Sequence, residues 1–213
     1  MTMTAPFPQL RRGLVAILRG LKPDEAVAVG EAVFKAGIEA IEVPLNSPDP
    51  FVSIERLVAA LPAAALVGAG TVLTADDVDR LHDAGGRLLV SPNIDADVMK
   101  RAAHHAMVTM PGVFTPTEAF QAIRLGASAL KFFPASVLGP GGIAAIRAVL
   151  PADTLVGAVG GVSDKDFAGY KAAGVGVFGL GSSLFKPGTT ADDVTGKART
   201  AVAAWDSVFG SKS

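Results

Sequence analysis

The chain has 213 residues, of which 50% are hydrophobic and 18% are charged, so it can bury a full core and does not have the composition of a disordered protein. Its 19 Lys and Arg residues nearly balance 20 Asp and Glu residues, and no run of like charges stands out. This balance argues against nucleic acid or an anionic membrane as a partner. The lack of cysteine excludes disulfides, thiolate metal ligands and a cysteine nucleophile, and it fits a reducing cytoplasm.

The sequence contains no membrane or export signal that we can recognise. An uncharged stretch spans residues 57–75, but Pro62, Gly68 and Gly70 interrupt it, whereas a spanning helix needs about 20 continuous apolar residues. The first apolar run, residues 14–18, is too short for a signal peptide and leads into Arg19 without a small-residue cleavage site. We therefore expect a cytoplasmic protein with no membrane partner.

One unit repeats along the chain: a short apolar run, a turn rich in Gly, Pro, Ser or Asn, and an amphipathic Ala-rich stretch. Short runs that are apolar on both faces are typical of parallel strands buried on both sides. The predicted strands are residues 14–18, 40–43, 65–68, 88–91, 107–110, 129–133, 154–159 and 175–180. The predicted helices are residues 23–36, 50–61, 75–84, 96–105, 116–125, 141–150, 164–173 and 191–209.

Start and stop signals agree with these helices. Ser and Thr side chains accept hydrogen bonds from first-turn N–H groups, and glycine is favoured just past a helix end. N-caps are predicted at Thr74, Thr115 and Ser163, and helix-ending glycines at Gly37, Gly85, Gly126 and Gly174.

Eight strands alternating with eight helices, at about 27 residues per unit, predict a (β/α)8 TIM barrel. The alternative is a doubly wound open sheet. The count of eight and the lack of a Gly-x-Gly-x-x-Gly turn after the first strand favour the barrel. We therefore expect residues 1–213 to form a single (β/α)8 domain of the α/β class with a short N-terminal extension.

The active site of such a barrel lies at the carboxyl ends of the strands, so polar residues at those ends are candidates. Among them, Lys131 lies between Leu130 and Phe132 in an apolar run, while the other eight lysines lie in helical or loop patterns. Burial that lowers the pKa of an amine makes it a nucleophile toward carbonyl carbon. The alternative is a strand lysine that reaches solvent or forms a structural ion pair.

Glu42 repeats this pattern, because its carboxylate lies between Ile41 and Val43. It is either a general acid or base with a shifted pKa or a structural partner of a cation. Arg19 ends the first strand and either tethers a loop or offers a bidentate fork to a carboxylate or phosphate. The joint occurrence of a lysine, a glutamate and an arginine at one end of the barrel is less expected by chance than any one of them alone. The combination therefore favours a functional site.

Two glycine turns indicate a phosphate site. Gly160 and Gly161 follow the seventh predicted strand, and Gly181 and Ser182 follow the eighth. Backbone N–H groups in the loops after these two strands are the usual phosphate ligands of a TIM barrel, although glycine turns also occur for steric reasons.

Other reactive residue types do not form a site in the sequence. The histidines His82, His104 and His105 lie in predicted helices, and the aspartates fall mostly at helix starts, where they act as capping charge. We expect no metal site, no histidine-based triad and no cofactor.

Six segments of the sequence resemble the class I aldolases that cleave 2-keto-3-deoxy-6-phospho sugar acids. The resemblance runs in order over about 190 residues, essentially the whole barrel. It is carried by residues 16–20 (AILRG), 42–48 (EVPLNSP), 68–73 (GAGTVL), 92–94 (PNI), 131–134 (KFFP) and 179–182 (GLGS).

The family contains two sister activities, on the gluconate-derived and on the galactonate-derived substrate. Gluconate enzymes usually read Glu-Val-Thr-Leu-Arg at residues 42–46 and Thr-Gly-Gly at residues 159–161. Pro44, Asn46 and Val159 instead resemble the galactonate sister, as does the segment at residues 92–94. At position 183 this chain has Ser where some galactonate enzymes have Asp. This difference concerns contacts with the phosphate and not the catalytic residues.

The resemblance implies that Lys131 forms a Schiff base with the C2 ketone and that Glu42 moves protons, directly or through water. The products are pyruvate and glyceraldehyde 3-phosphate, without a metal or cofactor. Arg19 and Thr71 are expected at the pyruvyl carboxylate, and Gly160, Gly161, Gly181 and Ser182 at the phosphate, although Arg19 is also placed to serve the phosphate. The family further implies a homotrimer.

Two other functions fit parts of the sequence. A non-catalytic barrel that senses a phosphorylated sugar acid would keep the glycine turns, but it would need neither Lys131 nor Glu42. A ketose-phosphate epimerase shares the barrel and the phosphate turns, but its chemistry uses paired acids or a metal. Trapping with borohydride and pyruvate distinguishes the three.

Overall fold

The structure is a computed structural model, and it describes residues 4–210. Its strands are β1 (Leu14–Ile17), β2 (Ala40–Pro44), β3 (Leu66–Gly70), β4 (Leu88–Val90), β5 (Val108–Met110), β6 (Gly112–Val113), β7 (Leu130–Phe132), β8 (Val156–Val159) and β9 (Val177–Leu180). Its helices are α1 (Ala26–Lys35), α2 (Pro50–Ala60), α3 (Ala75–Asp83), α4 (Ala96–His104), α5 (Pro116–Arg124), α6 (Ala135–Arg147), α7 (Phe167–Ala172) and α8 (Ala191–Phe209). The strands and helices alternate, as the repeated sequence unit predicts.

All nine strands belong to one parallel sheet in the order β5-β4-β3-β2-β1-β9-β8-β7-β6. The two edge strands, β5 and β6, are separated in sequence by Pro111 alone, so the edges meet there and the sheet is a nearly closed barrel. The sequence predicts eight strands because β5 and β6 share the fifth position. β5 pairs with β4, and β6, which lies beyond a proline that cannot donate a hydrogen bond, pairs with β7.

Each strand buries both faces, one against the helices and one inside the barrel. In β1, Leu14 and Ala16 pack in the outer apolar cluster with the helices, while Val15 and Ile17 pack in the inner one. This alternation is the period of a strand, and it tells on which side every strand residue lies. The inner cluster fills the interior of the barrel with apolar side chains.

The helix ends follow the predicted local chemistry. Thr74 accepts a hydrogen bond from the N–H of Asp77, and Thr115 forms a reciprocal capping box with Glu118. Ser163 pairs with Asp166 before α7. The four glycines predicted to end helices all have positive φ, at Gly37, Gly85, Gly126 and Gly174.

Helix α6 differs from its prediction. It begins at Ala135 instead of residue 141, because one helical turn follows β7 directly and precedes a break at Gly139 (φ 69°, ψ 167°). Pro140 then starts the second part, which corresponds to the predicted helix.

The N-terminal segment crosses the end of the barrel opposite to the strand carboxyl ends. The N–H of Ala5 donates to the carbonyl of Met107 at 2.9 Å, and Phe7 and Leu10 pack on the inner cluster. The predicted N-terminal extension lies partly outside the described residues, since these begin at Thr4. Within residues 4–210, no helix is both long and apolar enough to cross a membrane.

Candidate active site

Lys131 and Glu42 lie inside the barrel. In β7, Leu130 and Phe132 pack in the outer cluster, so the alternation of the strand turns Lys131 inward. In β2, Ile41 and Val43 are outside, which turns Glu42 inward. Both side chains are almost fully buried, with exposures of 6% for Lys131 and 2% for Glu42.

The neighbours of Lys131 are small or apolar. Its register partners on the two adjoining strands are Gly112 and Gly157. A Cβ on Gly157 would lie 2.1 Å from Cε of Met110, so the methionine side chain fills the space beside this strand. Lys131 Nζ lies 4.6 Å from the centre of the Phe133 ring, a cation–π contact. The amine is therefore held in a largely apolar environment.

Burial changes the protonation of both groups. Desolvation lowers the pKa of Lys131 to about 8, against the opposing field of Glu42, and the positive charge of Arg19 adds to the lowering. Desolvation raises the pKa of Glu42 to about 7, against the opposing fields of Lys131 and Arg19. Burial therefore favours the neutral amine of Lys131 and the uncharged carboxyl of Glu42.

The Glu42 carboxylate is not tied down by hydrogen bonds. Among the described residues, Glu42 Oε2 has no hydrogen-bond partner, and no ion pair within 4.0 Å joins Glu42 to Lys131. The carboxylate lies against Gly70 of β3, where a Cβ atom would stand 2.0 Å from Oε2. A buried acceptor without a partner is costly in a folded protein, and such groups concentrate at functional sites.

Thr71 follows Gly70 in an unusual backbone conformation. Its φ is 56°, in the left-handed region that a β-branched residue rarely adopts. Such strain persists only where the surroundings impose it, and it is found preferentially at functional sites. The conformation sets the side chain of this half-buried residue at the end of β3, next to the strand that carries Glu42.

Arg19 is exposed on the loop after β1. Its Nη1 donates to Asn46 Oδ1 at 2.5 Å, and the N–H of the next residue, Gly20, donates to Ser47 Oγ at 2.9 Å. The loops after β1 and β2 are thereby joined, and the guanidinium keeps further donors for an anion. The structure leaves it near enough to Lys131 and Glu42 to influence both pKa values.

A cavity of about 370 Å3 opens at the carboxyl ends of the strands. It reaches from inner strand residues, such as Ile17 and Val159, to Phe133, which contacts Lys131. Five predicted site residues line it: Arg19, Gly160, Gly161, Gly181 and Ser182. Thr71, Glu42 and Lys131 are not part of this lining, and the last two are buried inside the barrel.

Gly160 and Gly161 form a turn that only glycine fits. Both have positive φ, at 92° and 72°, and a Cβ on Gly161 would lie 2.4 Å from Ser136 Oγ. The carbonyl of Gly160 accepts a hydrogen bond from the N–H of Ser136 at 3.0 Å, which joins this turn to the start of α6. Gly181, in contrast, has open space around it.

Several cavity residues are not predicted as site residues by the sequence, among them Asn46, Phe133 and Lys186. The resemblance includes Asn46 without giving it a role, although its position after a strand end is a usable signal. Lys186 has the pattern of a solvated loop lysine, and only its closeness to Ser182 in the sequence points toward the site.

The histidines lie away from this cavity. His82 and His105 stack at 4.1 Å between ring centroids, and Asp79 accepts a hydrogen bond from Arg101 and contacts His105 Nε2 at 2.7 Å. Over residues 4–210, no group of three or more metal-ligating side chains is placed to hold an ion.

Comparison with known proteins gives a consistent family. The family model described as KDPG and KHG aldolase matches residues 9–197. A protein of Rhizobium meliloti (strain 1021) named probable 2-dehydro-3-deoxy-6-phosphogalactonate aldolase is 61% identical over 96% of this chain and 97% of its own length.

Two further matches have lower identity. The 2-dehydro-3-deoxy-6-phosphogalactonate aldolase of Escherichia coli (strain K12) is 46% identical over 92% of this chain and 96% of its own length. A solved structure described as native KDPGal superposes with a TM-score of 0.92 at 46% identity, and the match covers 94% of this chain and 97% of that one.

Proposed function

Because this chain belongs to the KDPG and KHG aldolase family, we propose that it is a class I aldolase that cleaves 2-dehydro-3-deoxy-6-phospho-D-galactonate into pyruvate and D-glyceraldehyde 3-phosphate. The observation that carries the proposed chemistry is the buried Lys131, whose lowered pKa supplies a free amine beside a carboxyl of raised pKa. The substrate rests on two relatives, which are both named for the galactonate-derived compound.

The reaction begins at Lys131. Its neutral Nζ attacks the C2 carbonyl carbon, and loss of water from the resulting carbinolamine leaves an iminium ion. The iminium accepts the electron pair of the C3–C4 bond when that bond breaks, so it does the work that a Lewis-acid metal does in other aldolases. The aldehyde leaves, and the enamine that remains takes up a proton at C3. Water then hydrolyses this second iminium to pyruvate and the free amine.

Glu42 moves the protons. It takes the C4 hydroxyl proton during cleavage and returns protons in the carbinolamine and enamine steps. Its Oε2 has no partner among the described residues, so it is available to a substrate hydroxyl or to a water molecule. The distance of more than 4.0 Å between the Lys131 amine and the carboxylate leaves room for such an atom between them.

Arg19 and Thr71 are proposed to hold the pyruvyl carboxylate, and the turns at Gly160, Gly161, Gly181 and Ser182 the phosphate. The positive charge of Arg19 and the strained φ of Thr71 support the first role. The shared cavity of the four turn residues supports the second, because backbone N–H groups in such turns point at an anion. Arg19 also lines that cavity, which keeps a phosphate role open to it.

The main alternative substrate is the gluconate-derived epimer, 2-dehydro-3-deoxy-6-phosphogluconate. A non-catalytic sensor of phosphorylated sugar acids would belong to another functional class. The buried pair of Lys131 and Glu42 disfavours a sensor, because burying two ionisable groups is costly and such groups concentrate at sites that use their chemistry.

One experiment tests the mechanism. The protein is treated with borohydride in the presence of pyruvate, digested and analysed by peptide mass spectrometry. We expect a reduced pyruvyl adduct on Lys131 and on no other lysine. Parallel treatment without pyruvate is the control, and an unmodified Lys131 together with measurable aldol cleavage would contradict the Schiff-base mechanism.

The proposal also includes the organisation of residues 1–213 as one domain with a short N-terminal extension and a cytoplasmic location. It further includes a homotrimeric assembly, which the family resemblance implies. The assembly can be tested by light scattering coupled to gel filtration.

A further inference from the structure

The cavity at the carboxyl ends of the strands is lined by a second cation, Lys186. Lys186 lies on the loop between β9 and α8, five positions after Gly181, and its side chain is exposed. Among residues 4–210, no carboxylate forms an ion pair with its amine, and no side-chain hydrogen bond holds it. The amine is therefore available to a ligand.

The loop that carries Lys186 is well anchored. The N–H of Lys186 donates to Thr189 Oγ1 at 3.1 Å, and the N–H of Phe185, a buried residue, donates to the carbonyl of Gly181 at 2.9 Å. These contacts fix the backbone on both sides of the lysine.

The same loop is packed against the loop of Arg19. Gly20 has a φ of 84°, and a Cβ at this position would lie 2.6 Å from Cγ of Pro187, so the proline ring occupies the place of a side chain. Arg19 and Lys186 each adjoin one member of this contact in sequence. The two cations therefore enter the cavity from neighbouring loops.

The charge of the lining matches one ligand group. Arg19 and Lys186 are the charged residues of this cavity wall within the described chain, and no Asp or Glu is among them. A phosphate monoester carries about −1.5 to −2 charges at neutral pH. With Arg19 in its phosphate role, the two cations together balance that charge, whereas one cation does not.

We propose that Lys186 binds the phosphate group of the substrate and so determines the preference for phosphorylated over unphosphorylated 2-keto-3-deoxy acids. This proposal rests on the proposed aldolase function. Lys186 lies on the outer loop and not in the barrel interior with Lys131 and Glu42, so it contributes to binding and not to the proton and carbon chemistry. Its contribution is confined to ligands that carry the phosphate.

The experiment compares Lys186→Ala with Lys165→Ala, which removes a matched exposed positive charge outside the cavity wall. Two quantities are measured for each variant. One is KM for the phosphorylated substrate in aldol cleavage. The other is the rate at which pyruvate exchanges its methyl protons with solvent deuterium, a reaction that uses Lys131 and Glu42 but involves no phosphate.

We expect Lys186→Ala to raise KM about threefold to tenfold, between the effect of an exposed ion pair and that of a charged hydrogen bond. The exchange rate and KM of Lys165→Ala should stay within about twofold of the wild type, and Lys186→Arg should restore most of the affinity. A KM for Lys186→Ala equal to that of Lys165→Ala would overturn the proposal. So would a parallel loss of pyruvate exchange, because it would indicate a structural effect.

These outcomes differ from a failure of the proposed function. If the aldolase function is wrong, the wild type itself neither cleaves the substrate nor exchanges the protons of pyruvate. If only the role of Lys186 is wrong, the wild type does both and the variant behaves like Lys165→Ala.

Discussion

The Glu42 carboxylate rests on the bare backbone of Gly70, so close that a Cβ atom there would lie 2.0 Å from Oε2 and 2.4 Å from Cδ of the glutamate. Gly70 is the last residue of β3 and is paired in register with Pro44, two positions after Glu42 on β2. Its φ is not positive, so the backbone does not require glycine at this position. The requirement comes from the space that the carboxylate occupies.

We therefore predict that Gly70→Ala lowers kcat about a hundredfold. The new methyl group displaces the carboxylate by a distance that matters for proton transfer, and misplacement by about 1 Å can cost this factor. Steady-state kinetics and a thermal unfolding curve check the result. A variant that folds normally and keeps the wild-type kcat would show that Glu42 does not need this position.

Gly196→Ala is a matched control for this substitution. Gly196 lies in the exposed part of α8, and nothing stands within 4 Å of an added Cβ. Alanine in a helix interior is favoured over glycine by about 0.5–1 kcal/mol. The control should keep its activity and unfold at the same or a slightly higher temperature.

Much of this site could be predicted because its key residues break a local pattern. Charged residues such as Lys131 and Glu42 are rare inside short apolar runs, and the two-residue period of a strand indicates on which side they lie. Glycine turns after strands are likewise visible in the sequence. The caps at Thr74 and Thr115 are predictable because their partners lie only three positions away in the sequence.

Features that depend on distant contacts could not be predicted. The role of Gly70 follows from a side chain on another strand, and the closeness of Pro187 to Gly20 joins loops far apart in sequence. The division of the fifth strand into β5 and β6 arises because its two parts pair with different neighbours. Lys186 belongs to the same group, because nothing in its own loop shows that it faces a cavity with Arg19.

The proposed nucleophile gives the second prediction. Lys131→Ala and Lys131→Arg should both lose aldol cleavage by a factor of about a thousand or more, because neither side chain can supply a free amine. Circular dichroism should show that the variants fold. Turnover near the wild-type rate in a folded variant would contradict the assignment of Lys131.

The third prediction concerns the pH dependence of adduct formation. Lys131 must be neutral to attack pyruvate, so the trapping rate should rise with pH through about 8 in the wild type. The Glu42 carboxylate raises the pKa of Lys131 and Arg19 lowers it. We expect Glu42→Gln to move the profile of Lys131 to lower pH and Arg19→Met to move it to higher pH. Trapping with cyanoborohydride at constant ionic strength measures both profiles. A shift to higher pH in Glu42→Gln, or to lower pH in Arg19→Met, would refute the electrostatic account.

The fourth prediction concerns the pH dependence of stability, which follows from the raised pKa of Glu42. Because folding raises the pKa of Glu42 from 4.5 to about 7, its protonated form stabilises the fold below pH 4.5, and this contribution is lost as the pH rises through about 7. Glu42→Gln cannot ionise, so the difference in melting temperature between the variant and the wild type should increase in favour of the variant from pH 5 to pH 8. A constant difference would contradict the raised pKa.

The fifth prediction concerns metal chelation. Aldol cleavage should persist in excess EDTA, because the iminium on Lys131 provides the electron sink that a divalent ion provides in metal-dependent aldolases. The assay is run after prolonged dialysis against the chelator, with and without added Mg²⁺, Mn²⁺ or Zn²⁺. Activity that disappears on dialysis and returns with one of these ions would move the protein to a metal-dependent class.

The last prediction concerns Val159 and the choice between the two epimeric substrates. The galactonate-derived and gluconate-derived compounds differ only in configuration at C4, so contacts with the pyruvyl group and the phosphate cannot distinguish them. Val159 ends β8, is 5% exposed and lines the cavity wall together with Gly179, whose added Cβ would lie 2.7 Å from Val159 Cγ2. Its side chain offers no hydrogen bond to a C4 hydroxyl.

Threonine has nearly the shape of valine and carries a hydroxyl in place of one methyl group. Val159→Thr should therefore fold and present one new hydrogen-bonding group to the substrate. One hydrogen bond is worth about 0.5–1.5 kcal/mol, which corresponds to a change of several-fold in the ratio of kcat/KM for the two epimers. We expect the wild type to prefer the galactonate-derived substrate at least several-fold and the variant to shift the ratio toward the gluconate-derived one.

Val159→Ala is the control, because it shortens the side chain without adding a hydroxyl and should not produce that shift. Steady-state kinetics on both purified epimers decide the matter: equal efficiencies or a gluconate preference in the wild type would refute the substrate assignment while leaving the chemistry of Lys131 intact.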